Sequence, residues 1–182
     1  MQRWRVPLGF LCAALFILIA RPTAQTLFAG GAVALVGLLI RAWSSGHIRK
    51  NAALAVSGPY AYTRNPLYLG SFILGIGFTI AASSEWWLFV VLGGLFAALF
   101  LGIYLPVMRV ESEALTELFG EQYKLYARAV PLLFPGLTPY RMPEGAAARF
   151  DASLYIRYRE YRAALGLLVA WCVLAMKVIL AH

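Results

Sequence analysis

The sequence predicts an all-α integral membrane bundle, with about five transmembrane helices and one cytoplasmic interfacial helix. Three observations predict it. Of the 182 residues, 62% are apolar and only 13% are charged, against roughly 45–50% and about 25% in ordinary soluble domains. Mean hydropathy is +0.73. Apolar runs recur along the chain with lengths near the roughly 20 residues that a helix rising about 1.5 Å per residue needs to cross hydrocarbon. A disordered chain is excluded, and a soluble globular domain fits poorly.

The first apolar run is Val6 to Ala20. Arg3 and Arg5 ahead of it also fit a signal peptide, although Arg21-Pro22-Thr23-Ala24 makes a poor small-residue cleavage site. The second run is Thr26 to about Trp43, the third Leu67 to Ala82, the fourth Trp86 to Val107 and the fifth Ala163 to Leu180. The fourth is the clearest, with 22 residues and no charge. Ser83-Ser84-Glu85 between the third and fourth reads as a tight hairpin. Trp43, Trp86, Trp87 and Tyr104 fall near helix ends, where amphipathic rings favour the headgroup level. Gly93 with Ala97 and Gly94 with Ala98 are small pairs that let helix backbones approach. Gly75 and Gly77 resemble the start of a dinucleotide loop, but Ile80 fills the third glycine position within an apolar run, so no such fingerprint exists. The whole chain, 1–182, is read as a single membrane domain.

Sixteen Lys and Arg against eight Asp and Glu give a net charge of +8. With the N-terminus cytoplasmic, segments 1–5, 41–66 and 108–162 are all cytoplasmic and hold 14 of the 16 basic residues, leaving Arg21 and Lys177 outside. The basic excess is therefore a topology signal, and a nucleic-acid partner drops out. Cys12 and Cys172 lie in apolar runs, with no CxxC and no Cys/His cluster, so neither a disulfide framework nor a metal site is expected.

Nearly all the ionisable groups lie in two long polar segments. The first runs from Ser57 to Gly70. Gly58-Pro59 is a turn signal. Asn65 is pushed away from helical geometry by Pro66, suits a helix cap, and marks the start of the third span. The free N–H groups of such a helix start can receive a carboxylate or other anion. An interfacial turn with tyrosine anchors explains the same residues without chemistry. The second segment begins at Met108. Leu115, Leu118, Phe119, Gln122, Leu125 and Tyr126 give an apolar stripe near helical period, predicting an amphipathic interfacial helix over Ala114 to Ala129. Gly120 inside it signals a break or a close contact. Val130-Pro131 and Phe134-Pro135 end the helix and return the chain toward the membrane. Glu111 lies one turn past the fourth span, where a carboxylate can meet a cationic ligand or simply face solvent. Phe134 to Ala148 reads as irregular. The run Tyr155 to Arg162, basic and aromatic, is either an anchor for anionic headgroups or a pocket entrance.

These residues resemble the isoprenylcysteine carboxyl methyltransferase family, within the wider group that includes phospholipid N-methyltransferases. The resemblance rests on Gly58-Pro59-Tyr60, then Arg64-Asn65-Pro66-Leu67-Tyr68-Leu69-Gly70, an uncharged helix, Glu111, Leu115, Phe119-Gly120, Tyr123, Tyr126, Val130-Pro131 and Pro135. It covers Ser57 to Pro135, 79 of 182 residues, a methyltransferase-like core region over 57–135. It implies a multi-pass membrane enzyme that uses S-adenosylmethionine without a dinucleotide-binding domain. It also implies cofactor contacts at Ala52, Ala53, Leu54, Ala55, Tyr60, Asn65, Pro66, Leu67, Tyr68 and Glu111, and an arginine for the acceptor, for which Arg109 is the nearest residue here. Two positions depart from the family. Asn65 stands where His is usual, and Ser112 where a second glutamate is usual, with Glu113 next to it.

The chemistry of the residues agrees with that reading. Glu111 can pair with the donor's ammonium, the N–H groups near Pro66 with its carboxylate, and Tyr60 and Tyr68 offer ring faces to adenine or a sulfonium. A carboxylate acceptor is already nucleophilic and needs no base, so Asn65 is tolerable. An amine acceptor needs a base that the segment does not offer. The expected partners are the lipid bilayer and a lipid-tailed acceptor such as a prenylated cysteine, with the site facing the cytoplasm and no metal. Two other readings are an NADPH-dependent, sterol-reductase-like membrane enzyme and a non-catalytic scaffold or transporter subunit. The first lacks a basic cluster for a 2′-phosphate, and the second leaves the Tyr60 to Gly70 and Glu111 to Pro131 patterns without a purpose.

Overall fold

The computed structural model describes residues 16–49, 53–141 and 149–180. Cys12 and most of the first predicted span lie outside the described residues. The described elements are helix α1 (Ala24–Ser45), a 3-10 turn (Gly58–Ala61), α2 (Pro66–Ala82), α3 (Trp86–Phe119), α4 (Glu121–Ala129), α5 (Ala152–Arg157) and α6 (Tyr161–Leu180). Helices α1, α3 and α6 are long and apolar enough to cross a membrane, and α2 is a shorter apolar helix of 17 residues. Large apolar side chains such as Phe28, Val90, Leu95 and Leu168 point outward, the pattern of a bundle whose solvent is lipid. The chain is an all-α membrane bundle.

The tightest contact joins α1 to α2. A Cβ added at Gly30 would lie 2.4 Å from the Gly77 carbonyl, and one at Gly37 would lie 2.5 Å from that of Gly70. Two glycine pairs, each seven residues apart on its helix, thus bring the backbones together in a medium that supplies no hydrophobic force between helices. The small pairs expected to do this lie elsewhere: nothing comes within 4 Å of a Cβ at Gly94, and Gly93 touches only Phe89 and Thr79 at 3.7–3.9 Å. The far end of α1 is secured by a reciprocal Thr23–Thr26 capping box, by the bond from the Thr26 hydroxyl to the Ala81 carbonyl, and by Arg21 N–H to the Ala82 carbonyl. Lys177, one of the two cations expected outside, donates from α6 to the carbonyls of Ile17, Leu18 and Ala20. It thereby satisfies acceptors that a helix C-terminus leaves free.

Helix α3 corrects one expectation. It runs unbroken for 34 residues through Pro106, about 51 Å, and so extends well beyond the roughly 30 Å hydrocarbon layer. The first half of the helix expected over 114–129 is the continuation of α3; only Glu121–Ala129 stands apart. No residue from Glu111 to Phe119 interrupts a helix. The break comes at Gly120, whose φ of +55° and ψ of −129° form a backbone state that residues with a Cβ rarely adopt.

Gly77→Ala places a methyl group 2.4 Å from the Ala34 backbone nitrogen. It should cost about 1–3 kcal/mol through overpacking, read as a lowered thermal midpoint in detergent. Gly94→Ala, in open space, should leave the midpoint unchanged.

Candidate active site

A ladder of rings carries the first site residue into position. Phe72 of α2 faces Phe96 and Phe100 of α3, with ring centroids at 5.7 and 5.3 Å. Phe100 stacks on Tyr104 at 4.5 Å, and Tyr104 meets Tyr68 at 5.2 Å. Such pairs add about 0.5–1.5 kcal/mol each beyond burial, so the α2/α3 seam sets the register of its last member. The Tyr68 hydroxyl then donates to Glu111 Oε1 at 2.8 Å. Tyr68 and Glu111, named from two separate polar segments, meet in one exposed pair.

The Gly58–Ala61 turn carries Tyr60, whose phenol feels the Glu111 carboxylate. Gly58 has a φ of +60°, and a Cβ there would lie 2.7 Å from His47 Nε2. The His47 ring is oriented by its Nδ1–H, which donates to the Trp43 carbonyl at 2.9 Å. The turn is clamped from the other side by Tyr126 of α4, whose hydroxyl donates to the Tyr60 carbonyl at 2.7 Å. The chain after the turn zips onto the segment after α4. Ala61 accepts from Tyr140 N–H, Tyr62 from Gly136 N–H, and Arg64 N–H donates to Pro131. The Thr63 hydroxyl donates to Leu133 at 2.8 Å, and the Asn65 amide donates to Leu132 at 2.9 Å.

A third group arrives from the C-terminal segment. Arg41, in the last turns of α1, pairs with Glu160 at 2.6 Å, both side chains being largely buried. Arg41 also donates to the Leu67 carbonyl at 3.3 Å and to the Ser71 hydroxyl, tying Glu160 to the first turns of α2. Glu160 follows Arg159, a non-glycine residue at φ +57°. The Tyr60 phenol is 6% exposed. Burial first, then the carboxylates of Glu160 and Glu111 and the Tyr158 phenol, push its pKa far above the ordinary tyrosine value, with Arg41 opposing. Tyr60 is therefore a neutral hydroxyl within electrostatic reach of two carboxylates.

The predicted site residues divide as follows. Tyr60, Tyr68 and Glu111 converge. Pro66 is buried at the first turn of α2, and the Leu67 carbonyl holds Arg41. Asn65 occupies the cap position, but its side chain does not cap. It is spent on Leu132, because the return segment brings a carbonyl within its reach and leaves the amide no freedom to turn back. Leu54 packs with Val56 on Tyr123 and Tyr126, Ala55 is half-buried and Ala53 exposed. Ala52 lies outside the described residues. Arg109 is exposed, and two residues of helix turn it about 200° from Glu111, so the structure does not bring it to the group. Arg41 and Glu160 were not anticipated. The available signal was a single carboxylate inside an otherwise basic run.

Comparisons with known proteins give a family and two named relatives. Residues 10–122 match the phospholipid methyltransferase family. The chain is 36% identical over 150 residues to the cobalt-zinc-cadmium resistance protein CzcN of Cupriavidus metallidurans, covering 76% of this chain and 64% of that protein. It is 33% identical over 103 residues to the nickel-cobalt-cadmium resistance protein NccN of Alcaligenes xylosoxydans xylosoxydans, covering 56% of this chain and 46% of that one. The chain thus spans less than two thirds of the length of either relative. No solved structure matches. Glu160 lies beyond the part matched by the family.

Tyr126→Phe removes the clamp on the turn and leaves the Tyr60 carbonyl unpaired, at a cost of about 1–3 kcal/mol, measurable by thermal denaturation. Burial also raises the Tyr126 pKa well above its ordinary value. Above about pH 10 the unfolded chain loses these phenolic protons while the fold retains them, so stability falls as pH rises. The Tyr60→Phe/Tyr126→Phe double variant should show a shallower alkaline loss of midpoint than the parent protein.

Proposed function

The chain belongs to the phospholipid methyltransferase family, and from that premise we propose that it is an S-adenosylmethionine-dependent enzyme methylating the carboxylate of a lipid-tailed acceptor such as a prenylated cysteine. The observation that carries this reading is the 2.8 Å bond between Tyr68 and Glu111, together with a Tyr60 hydroxyl that also feels Glu160. An exposed carboxylate beside a phenol ring fits a ligand that carries a positive charge. Bound there, S-adenosylmethionine supplies an electrophilic methyl group on a sulfonium.

The residues divide the work between holding and aligning. Glu111 takes the donor's ammonium, and Tyr68 fixes the carboxylate that does so. Tyr68 offers a ring face to adenine or the sulfonium, and the buried Tyr60 contributes a neutral hydroxyl near Glu111. Methyl transfer is an in-line displacement, so positioning and exclusion of water are the main contributions required of the protein. No base is offered. Asn65 spends its amide on Leu132, and Tyr60 keeps its proton at neutral pH. An ionised carboxylate acceptor needs none, which favours it over an amine. The positive-inside distribution supports a site at the cytoplasmic face, where a soluble donor arrives from water and the acceptor from the bilayer. The relatives are named for metal resistance. Among the described residues no group of three or more His, Cys, Asp or Glu could hold a metal ion.

Equilibrium binding in detergent tests the donor site. Glu111→Ala should weaken S-adenosylmethionine affinity at least about tenfold, or 1.4 kcal/mol, while Glu113→Ala changes it little. Unchanged affinity in a folded Glu111→Ala protein removes Glu111 from the site, and NADPH binding in place of the donor overturns the class. Labelled-methyl transfer to prenylcysteine analogues and to amine phospholipids then identifies the acceptor.

A further inference from the structure

A cleft of about 330 Å³ lies between the cytoplasmic extension of α3 and helix α4, lined by Arg64, Glu113, Thr116, Tyr123, Lys124 and Arg128 among others. It does not belong to the Tyr68–Glu111 group. Glu113 and Thr116 sit about 200° and 140° around α3 from Glu111, so the cleft opens on another face of the helix. Three cations converge there from two elements. Arg64 comes from the lead-in to α2, while Lys124 and Arg128 are four residues apart on α4 and share a face. Arg64 is the informative one. Among the described residues its Nε is buried with no hydrogen-bond partner, and its Nη1 donates to the Tyr123 hydroxyl at 3.5 Å. A buried guanidinium N–H left unpaired is costly unless an acceptor completes it. Glu113 is the carboxylate among the lining groups, and Glu121 engages Lys124 at 2.6 Å.

We propose that this cleft binds a phosphate monoester, with the headgroup of a membrane phospholipid as the source its position favours. One cation suffices for a carboxylate, whereas a phosphate dianion with three free oxygens matches a guanidinium fork joined by two further cations. Glu113, in the cleft, lies about 9 Å along α3 beyond the uncharged span that ends at Val107, on the headgroup side of the hydrocarbon layer. Leu125, next to Lys124 on α4, is more than half exposed and offers apolar contact to acyl chains beside the headgroup. The site is independent of the methyl-transfer reading, since its occupant faces away from Glu111.

The test uses the full chain in phosphatidylcholine nanodiscs with and without phosphatidic acid, and in detergent with inorganic phosphate against chloride at equal ionic strength. Phosphatidic acid should raise the thermal midpoint. Arg64→Gln should weaken the apparent affinity at least about tenfold, and Lys124→Gln/Arg128→Gln should do so even if Arg64→Gln fails to fold. Arg157→Gln, an exposed basic residue elsewhere, should leave the shift intact. A rise with the lipid alone supports the headgroup as ligand; a rise with inorganic phosphate as well supports a site that reads the phosphate group by itself. No rise with either overturns the proposal. So does an equal loss in Arg157→Gln, which means diffuse attraction to a charged bilayer.

Discussion

The hydrogen bond from the Tyr68 hydroxyl to Glu111 joins helices α2 and α3 across 43 residues of sequence, and the placement of the candidate active site follows from it. Each partner is delivered by a rigid support. Tyr68 stands at the end of the ring ladder from Phe72 through Phe100 and Tyr104. Glu111 stands on an unbroken helix that carries it past the hydrocarbon boundary. Neither support is a loop, which is why two polar groups can be held at hydrogen-bond distance in an exposed position. The glycine contacts between α1 and α2 matter for the same reason. They bring Arg41 against the first turns of α2, and Arg41 in turn holds Glu160 near the Tyr60 turn.

The electrostatics of the site follow from burial as much as from charge. Tyr60 is enclosed by His47 behind Gly58, by the Tyr126 clamp and by the strand-like pairing of 61–65 with 131–140. Removing water from the phenol strengthens the influence of Glu111 and Glu160 and keeps its proton in place. The result is a neutral hydroxyl among acidic groups, an environment suited to a cation and poor in general bases. Arg41 and Glu160 neutralise one another at 2.6 Å, so the uncompensated negative charge of the site is that of Glu111.

Much of this architecture was legible in the sequence. The spans expected at Thr26 to about Trp43, Trp86 to Val107 and Ala163 to Leu180, the hairpin at Ser83-Ser84-Glu85 and a break or close contact at Gly120 were marked by apolar runs and by glycine, which act locally. The pairing of Tyr68 with Glu111 was reached through a family pattern rather than through spacing. What stayed hidden required knowledge of partners. Gly30, Gly37, Gly70 and Gly77 are seven residues apart on their own helices, but only the antiparallel packing shows that they face one another. Asn65 sits at a cap position by sequence, yet the Leu132 carbonyl, 67 residues away, claims its side chain. The Arg41–Glu160 pair spans 119 residues. A basic run conceals the one carboxylate that turns inward.

The central claim is that Tyr68 and Glu111 act as one unit on a single bound donor, and a double-mutant cycle tests it most directly. S-adenosylhomocysteine affinity is measured by calorimetry for the parent protein, Tyr68→Phe, Glu111→Gln and the double variant. The account predicts strong non-additivity, with the double variant losing little more than Glu111→Gln alone, a coupling of about 1 kcal/mol or more. Additive losses, or full affinity in all four proteins, contradict it.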